Sequence, residues 1–190
     1  GAGAGDIDFT SNVLGDQLLT VNAGGGTVDF LNTVGGTTAL SGLVVEAAGT
    51  LNFDNTVAVD DEGIDITAGV VTIDNTVTTT NAGTVEITNS GALTIAGAGD
   101  MSLDGSFTQN GAGTVSTAGD ISTTDDQVSF ATAVTLTGDV DINTGAGAGN
   151  VLFSSTVGTG GNDLDLDAGT SGNVTVAFAL TGGGDLTVRD

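Results

Sequence analysis

Apolar and polar residues alternate along this chain in short runs, each flanked by Gly, Asn, Asp, Ser or Thr. The runs are "DIDF" at 6–9, "TVDF" at 27–30, "TLNF" at 50–53, "VVTI" at 70–73, "ALTI" at 92–95, "NVLF" at 150–153 and "NVTV" at 173–176. Strict alternation sends one set of side chains inward and the other outward, as in a β-strand. The flanking residues carry turn chemistry. No apolar stripe of 3.6-residue period persists, so the pattern predicts strands and no helices.

The runs recur with a near-constant period. The terminal inward residues Phe9, Phe30, Phe53, Ile73 and Ile95 follow at steps of 21, 23, 20 and 22 residues. Val13, Val34, Val57 and Val77 each come four residues after the first four of these. Phe130 with Val134, Phe153 with Val157, and Val176 with Leu180 keep the same offset of four. Another strand recurs in "LLTVNAG" at 18–24, "GIDITAG" at 63–69 and "DLDLDAG" at 163–169. About three short strands in 20–23 residues is the mark of a solenoid, in which one period cannot bury its own apolar face. Stacked coils pair each strand in parallel with its copies about 4.8 Å above and below. The pattern therefore predicts an all-β, right-handed parallel β-helix, with an antiparallel β-sandwich as the alternative. Phe9, Phe30 and Phe53 are expected in one interior column and Val13, Val34 and Val57 in another. Ile73, Val77, Phe130, Val134, Phe153 and Val157 join the core through the same offset. The frame slips at about 96–129, where Phe107 stands only 12 residues after Ile95. There Phe107 reads as the later strand of one coil and Val115 as the start of the next, with a bulged or shortened coil expected.

Composition narrows the function. Residues 1–190 make one solenoid segment with 33 Gly and no Pro, Cys, Trp, Tyr or His. Twenty-four acidic residues face a single basic one, Arg189, for a net charge of −23. That balance argues against nucleic acid, whose affinity comes from Lys and Arg, and against anionic lipid surfaces. Zero Cys removes disulfides and thiol chemistry. No apolar run approaches the ~20 residues of a membrane-spanning helix. A transmembrane barrel would want interfacial Trp and Tyr. An acidic, Lys-free, Gly- and Thr-rich chain fits an exported protein, with its export signal outside this segment.

Candidate chemistry is sparse. A polysaccharide lyase needs a proton-abstracting base and a group that neutralises the substrate carboxylate, and Lys, His and Tyr are absent. Acid pairs that a glycosidase could use stand in "VDDEG" at 59–63 and "TTDDQ" at 123–127, in turns and without aromatic platforms for a sugar. The chain is therefore not expected to be an enzyme. Calcium is the better candidate, since it takes 6–8 oxygen ligands in flexible geometry. Three acidic groups qualify: Asp60, Asp61 and Glu62; Asp125 and Asp126; and Asp163, Asp165 and Asp167. Solvated turn carboxylates with diffuse cation screening are the competing reading, and no cofactor is required. Asn12, Asn32, Asn55 and Asn75 recur beside the Val column and are expected to cap turns. The "GAGAG" stretches at 1–5 and 145–149 lead into strands, so they lack the helix N-terminus of a phosphate cradle.

The strand repeats "GDIDFTSNVLGDQLLTVNAGGGTVDFLNTVGGTTALSGLVVEAAGT" and "QVSFATAVTLTGDVDINTGAGAGNVLFSSTVGTGGNDLDLDAGTSGNVTV" resemble those of giant bacterial surface proteins. These are the filamentous-haemagglutinin-like and autotransporter-like repeat proteins. The resemblance implies export to the cell surface and a structural or adhesive rod, with matrix or host glycans as partners. It carries over no catalytic residue. The C-terminal "GGGDLTVRD" also reads into the opening "GAGAGDIDF" in the order seen in "DVDINTGAGAGNVLF". That order suggests a slice of a longer array whose adjacent repeats or copies meet end to end. An acidic extracellular module binding Ca²⁺ or carbohydrate is the alternative function, and a polysaccharide-degrading β-helix is a distant third.

Overall fold

The computed structural model describes residues 5–189, apart from the Ala47 side chain. The opening residues 1–4 of the glycine-alanine stretch and the terminal Asp190 lie outside the described residues. Twenty-one strands and no helix occur among them. Every strand pairing is parallel, and the strands wind into a β-solenoid of about 8 turns, a parallel β-helix.

Three parallel sheets make its faces. The first face stacks β1 (Ile7–Phe9), β3 (Thr27–Phe30) and the last residues of β4 (Leu40–Phe53) and β5 (Val57–Ile73). It continues through β8 (Leu93–Ile95), β11 (Val115–Thr117), β14 (Val134–Leu136), β17 (Val157–Gly158) and β20 (Leu180–Thr181). The second face begins with single bridges from Val13 to Val34 and from Val34 to Val57. Above these lie β6 (Val77–Thr79), β9 (Met101–Leu103), β12 (Ile121–Thr123), β15 (Val140–Asn143), β18 (Leu164–Asp167) and β21 (Leu186–Arg189). The third face carries β2 (Leu18–Asn22), the early part of β4 and the middle of β5. It then runs through β7 (Val85–Asn89), β10 (Phe107–Gln109), β13 (Val128–Phe130), β16 (Val151–Phe153) and β19 (Val174–Val176).

The core is a set of columns, because each inward residue lies in register on its counterpart one coil below. Val28, Leu51, Val71, Leu93, Val115, Val134 and Val157 form one such column on the first face, each at most 1–2% exposed. Phe9, Phe30, Phe53 and Ile73 form the other column of that face. The Phe9 and Phe30 rings stack at 4.5 Å and 2°, and Phe30 and Phe53 at 5.2 Å and 24°. Val13, Val34, Val57 and Val77 form a separate column on the second face.

The later Phe–Val pairs keep their spacing but change faces. Phe130 and Phe153 lie on the third face, in line with Ile87 and Gln109 rather than with Phe53. Val134 and Val157 lie on the first face, over Val115, and not on the Val13 column. The four-residue corner has moved back by one face. The apparent slip at 96–129 has the same cause. Strands β8 to β13 pair in continuous register with no bulge, so the stretch is regular and only the identity of the inward residues shifts. Phe107 closes one coil and Val115 opens the next. The bulges lie instead in β2, β4 and β5, at Val21/Asn22, Leu40/Gly42 and Val45/Ala48.

Candidate functional site: an acidic groove on the second face

Aspartates crowd the second face in the last coils because two positions repeat there. One precedes each strand: Asp100 before β9, Asp120 before β12, Asp139 before β15, Asp163 before β18 and Asp185 before β21. The other points outward within the strand, where Asp141 pairs in register with Asp165 and Asp165 with Thr187. Together Asp120, Asp139, Asp141, Asp163, Asp165 and Asp185 line an open groove of about 350 Å³ with Thr187.

Most of these carboxylates have a structural task. The Asp120 N–H donates to Asp100 Oδ1 at 2.9 Å, and the Asp141 N–H to Asp120 Oδ1 at 2.8 Å. The Asp163 N–H donates to Asp139 Oδ1 at 2.9 Å, and the Asp185 N–H to Asp163 Oδ1 at 2.8 Å. Each carboxylate thus satisfies a backbone donor at the start of the strand in the next coil, a charge-assisted bond. The result is a ladder at the starts of β12, β15, β18 and β21.

Charge accumulates as a consequence. Arg189 Nη2 meets Asp165 Oδ2 at 2.9 Å, while Asp165 Oδ1 is enclosed with no hydrogen-bond partner among the described residues. Burial raises the Asp141 carboxyl above its ordinary value, as do Asp165, Asp120 and Asp167, against the lowering effect of Arg189. Asp141 itself is exposed at the rim, so solvent screening keeps this effect small. The groove therefore concentrates negative charge on this face.

The candidate calcium residues are dispersed. Asp60, Asp61 and Glu62 lie together on β5, away from the groove, and two of their six carboxylate oxygens are engaged in hydrogen bonds. Asp60 Oδ1 accepts from Thr80 Oγ1 at 2.8 Å and Asn81 Nδ2 at 2.6 Å, and Glu62 Oε2 accepts from Ser41 Oγ at 3.0 Å. Asp61 points to solvent. Asp125 adopts φ of 63°, a left-handed conformation that Asp tolerates, and Oδ1 accepts from the Gly147 N–H. The Asp126 carbonyl accepts from Thr123 Oγ1. Asp163 and Asp165 do enter the groove, while Asp167 Oδ1 turns to the Gly169 N–H at 3.0 Å. Among the described residues, no group of three carboxylates converges so that it could hold one metal ion.

Two further sets are placed by the fold. Asn55 and Asn75 cap their own turns, accepting from the N–H of Thr56 at 2.9 Å and Thr76 at 3.1 Å. Asn32 instead donates across coils to the Thr10 carbonyl at 2.9 Å. Residues that sequence reasoning missed are Asp100, Asp120, Asp139, Asp141 and Asp185. Their signal was present: an Asp directly before an apolar strand residue, recurring once per coil.

No known family, curated protein or solved structure matches the chain. No helix among the described residues is long and apolar enough to cross a membrane.

Proposed function

We propose that this chain is a structural segment of an extracellular rod. The observation that supports the reading best is the unbroken coil-on-coil pairing from β1 to β21, with interior columns of Phe, Val, Leu and Ile. A solenoid gains its stability one interface at a time, so it lengthens without a limit set by a closed core. Eight coils at about 4.8 Å span roughly 40 Å of rod. The strand repeats of giant bacterial surface proteins are similar to these, which supports export to the cell surface, an adhesive or matrix-building role and a non-catalytic chain. Its partners on this reading are neighbouring repeats or copies along the axis, with host or matrix glycans at the sides.

The acidic groove supports a second reading, a surface that binds Ca²⁺ or carbohydrate. Thermal melts in Ca²⁺ and in Na⁺ at matched ionic strength separate the two. The rod reading expects both salts to raise the melting temperature equally, by screening repulsion between stacked carboxylates. A further rise specific to Ca²⁺, saturating at a defined stoichiometry, would favour the binding module instead.

A further inference from the structure

The two ends of the described stack leave the same kind of surface uncovered. Leu180, Leu186 and Val188 would be interior residues in any middle coil, yet here they are 37%, 46% and 51% exposed. At the other end Ile7, Phe9, Val13 and Leu19 are only partly buried. Among the described residues, the strands at each end also present N–H and C=O groups with no neighbouring coil to pair with, a template for another strand.

We infer that two copies of this chain stack head to tail with the second copy turned by one face. In that joint β1 lies on β19, Val13 on β20 and β2 on β21. The inference rests on the rod reading and adds the partner and its register.

Four observations fix that register. The first is spacing. The inward residues Ile7, Phe9, Val13, Leu19 and Val21 follow one another at the same intervals as Val174, Val176, Leu180, Leu186 and Val188. Even the sequence "LTV" recurs at 19–21 and 186–188. The second is backbone shape. Gly15 has φ of 132° and Gly182 has φ of 130°, the two largest positive values among the described residues, and they fall at matching points in the two coils. The third is the path of the ramp. The described strands end with β21 on the second face, so the next place on the ramp is the third face, above β19. A copy added without rotation would put β1 on the first face and leave β19 uncovered.

The fourth is the polar ladder. Asn150 Oδ1 accepts the Asn173 N–H at 2.9 Å, and Asp6 Oδ1 accepts the Thr27 N–H at 2.8 Å. In the rotated joint Asp6 falls on Asn173, and these become consecutive rungs of one ladder. Leu18 then falls on Asp185, so its N–H extends the run from Asp139 through Asp163 and Asp185. Without rotation Asp6 would fall on Ala179, which has no side-chain acceptor. Tight corner lies on tight corner only in the rotated arrangement. Charge opposes contact between copies of a chain at −23, so the joint forms at high ionic strength.

Engineered cysteines read this register directly, because the chain has none of its own. Asp8 and Thr175 are outward-facing partners across the rotated joint, as are Thr20 and Thr187. Asp8 and Thr181 would be partners without rotation. Neighbouring parallel strands place Cα atoms within the spacing a disulfide accepts. Chains carrying D8C with T175C, or T20C with T187C, are oxidised at high salt and run on non-reducing gels. The expected result is a ladder of covalent multimers from either pair, about tenfold more abundant than from D8C with T181C, whose geometry fails the disulfide spacing. Multimers from D8C with T181C alone would overturn the register while leaving axial stacking intact. Monomers from all three, with a monomeric mass by light scattering, would overturn stacking between copies. The comparison of Ca²⁺ and Na⁺ melts on the unmodified chain would still judge the rod reading by itself.

Discussion

The first four coils and the last three solve one packing problem on different faces. In the first four the column of Phe9, Phe30 and Phe53, continued by Ile73, stands on the first face, and the four-residue corner leads from there to the second. In the last three the column of Phe130 and Phe153, continued by Val176, stands on the third face, and the same corner leads back to the first. Phe130 and Phe153 stack at 5.3 Å and 4°, much as Phe9 and Phe30 do. Between the halves the changeover is polar. Gln109 occupies the place in the column between Ile87 and Phe130, buried at 1% exposure. Its amide donates to Asn89 Oδ1 at 2.7 Å and to the Gly111 carbonyl at 3.1 Å, and its carbonyl oxygen accepts from the Ala131 and Thr132 N–H groups. Phe107 meets Phe130 at 5.3 Å but tilted by 51°, because it occupies the other inward position of its strand. The difference teaches that a coil's apolar motif is not tied to one face. Both the first and the third sheet carry the large side chains, and the coils near the exchange satisfy their buried polar groups.

Removing a ring from each half tests the comparison most strongly. Phe53→Ala and Phe130→Ala should each lose about 3–5 kcal/mol in chemical denaturation, the usual cost of a large cavity in a packed core. A near-neutral Phe130→Ala beside a costly Phe53→Ala would break the equivalence of the two stacks. The changeover comes next. Gln109→Leu strands the Asn89 amide oxygen and the Thr132 N–H, and should cost about 2–3 kcal/mol despite keeping a similar volume. Equal or greater stability would show that the polar seam is dispensable.

Smaller effects sharpen the contrast. Thr79, Thr117 and Thr144 point inward and donate to nearby Gly carbonyls at 2.6, 3.1 and 2.9 Å. Thr159 is equally buried, but its hydroxyl has no partner among the described residues. Thr159→Val should therefore raise stability by about 1 kcal/mol, whereas Thr144→Val should lower it by a similar amount. The same sign for both would contradict this division. The smallest expected effect is at Asp141. Its carboxyl is raised above the ordinary 3.8 by burial and by its acidic neighbours. The protonated form is thus favoured by folding. Its contribution is full below the ordinary value and is lost as pH rises through the raised one. Asp141→Asn should stabilise the fold slightly at neutral pH and bring no gain below the ordinary carboxylate range. A pH-independent difference between the melting curves would refute the electrostatic cause.

Much of this was legible in the sequence, for definite reasons. Alternation and the period of 20–23 residues are local facts, and parallel stacking converts them directly into columns. Phe9, Phe30 and Phe53 needed nothing more. The face on which Phe130 stands was not legible, because the offset from Phe to Val records the length of a corner and not which corner it is. Three chemically similar faces give the same motif. The acidic ladder was half legible. Asp163 and Asp165 stand out as part of a local cluster, while Asp120 and Asp185 are isolated in sequence and Asp139 has only Asp141 beside it. They come together only when the coils are stacked. Asp60 and Asp125 looked like ligands because adjacent acids resemble a site in one dimension. In three dimensions one oxygen of Asp60 accepts from Thr80 and Asn81 and one oxygen of Asp125 from Gly147, and among the described residues no third carboxylate converges on either.

The transfer of the aromatic column between faces is the central structural claim, and a cysteine pair within one chain tests it most directly. Thr108 and Ser129 face outward on adjacent strands of the third face and are partners in register. If Phe130 had kept the first-face position of Phe53, Ser129 would instead follow the line of Asn52, Thr72, Thr94 and Ser116. The account predicts that T108C with S129C forms an intramolecular disulfide on mild oxidation and that S116C with S129C does not. A disulfide from the second pair and none from the first would contradict it.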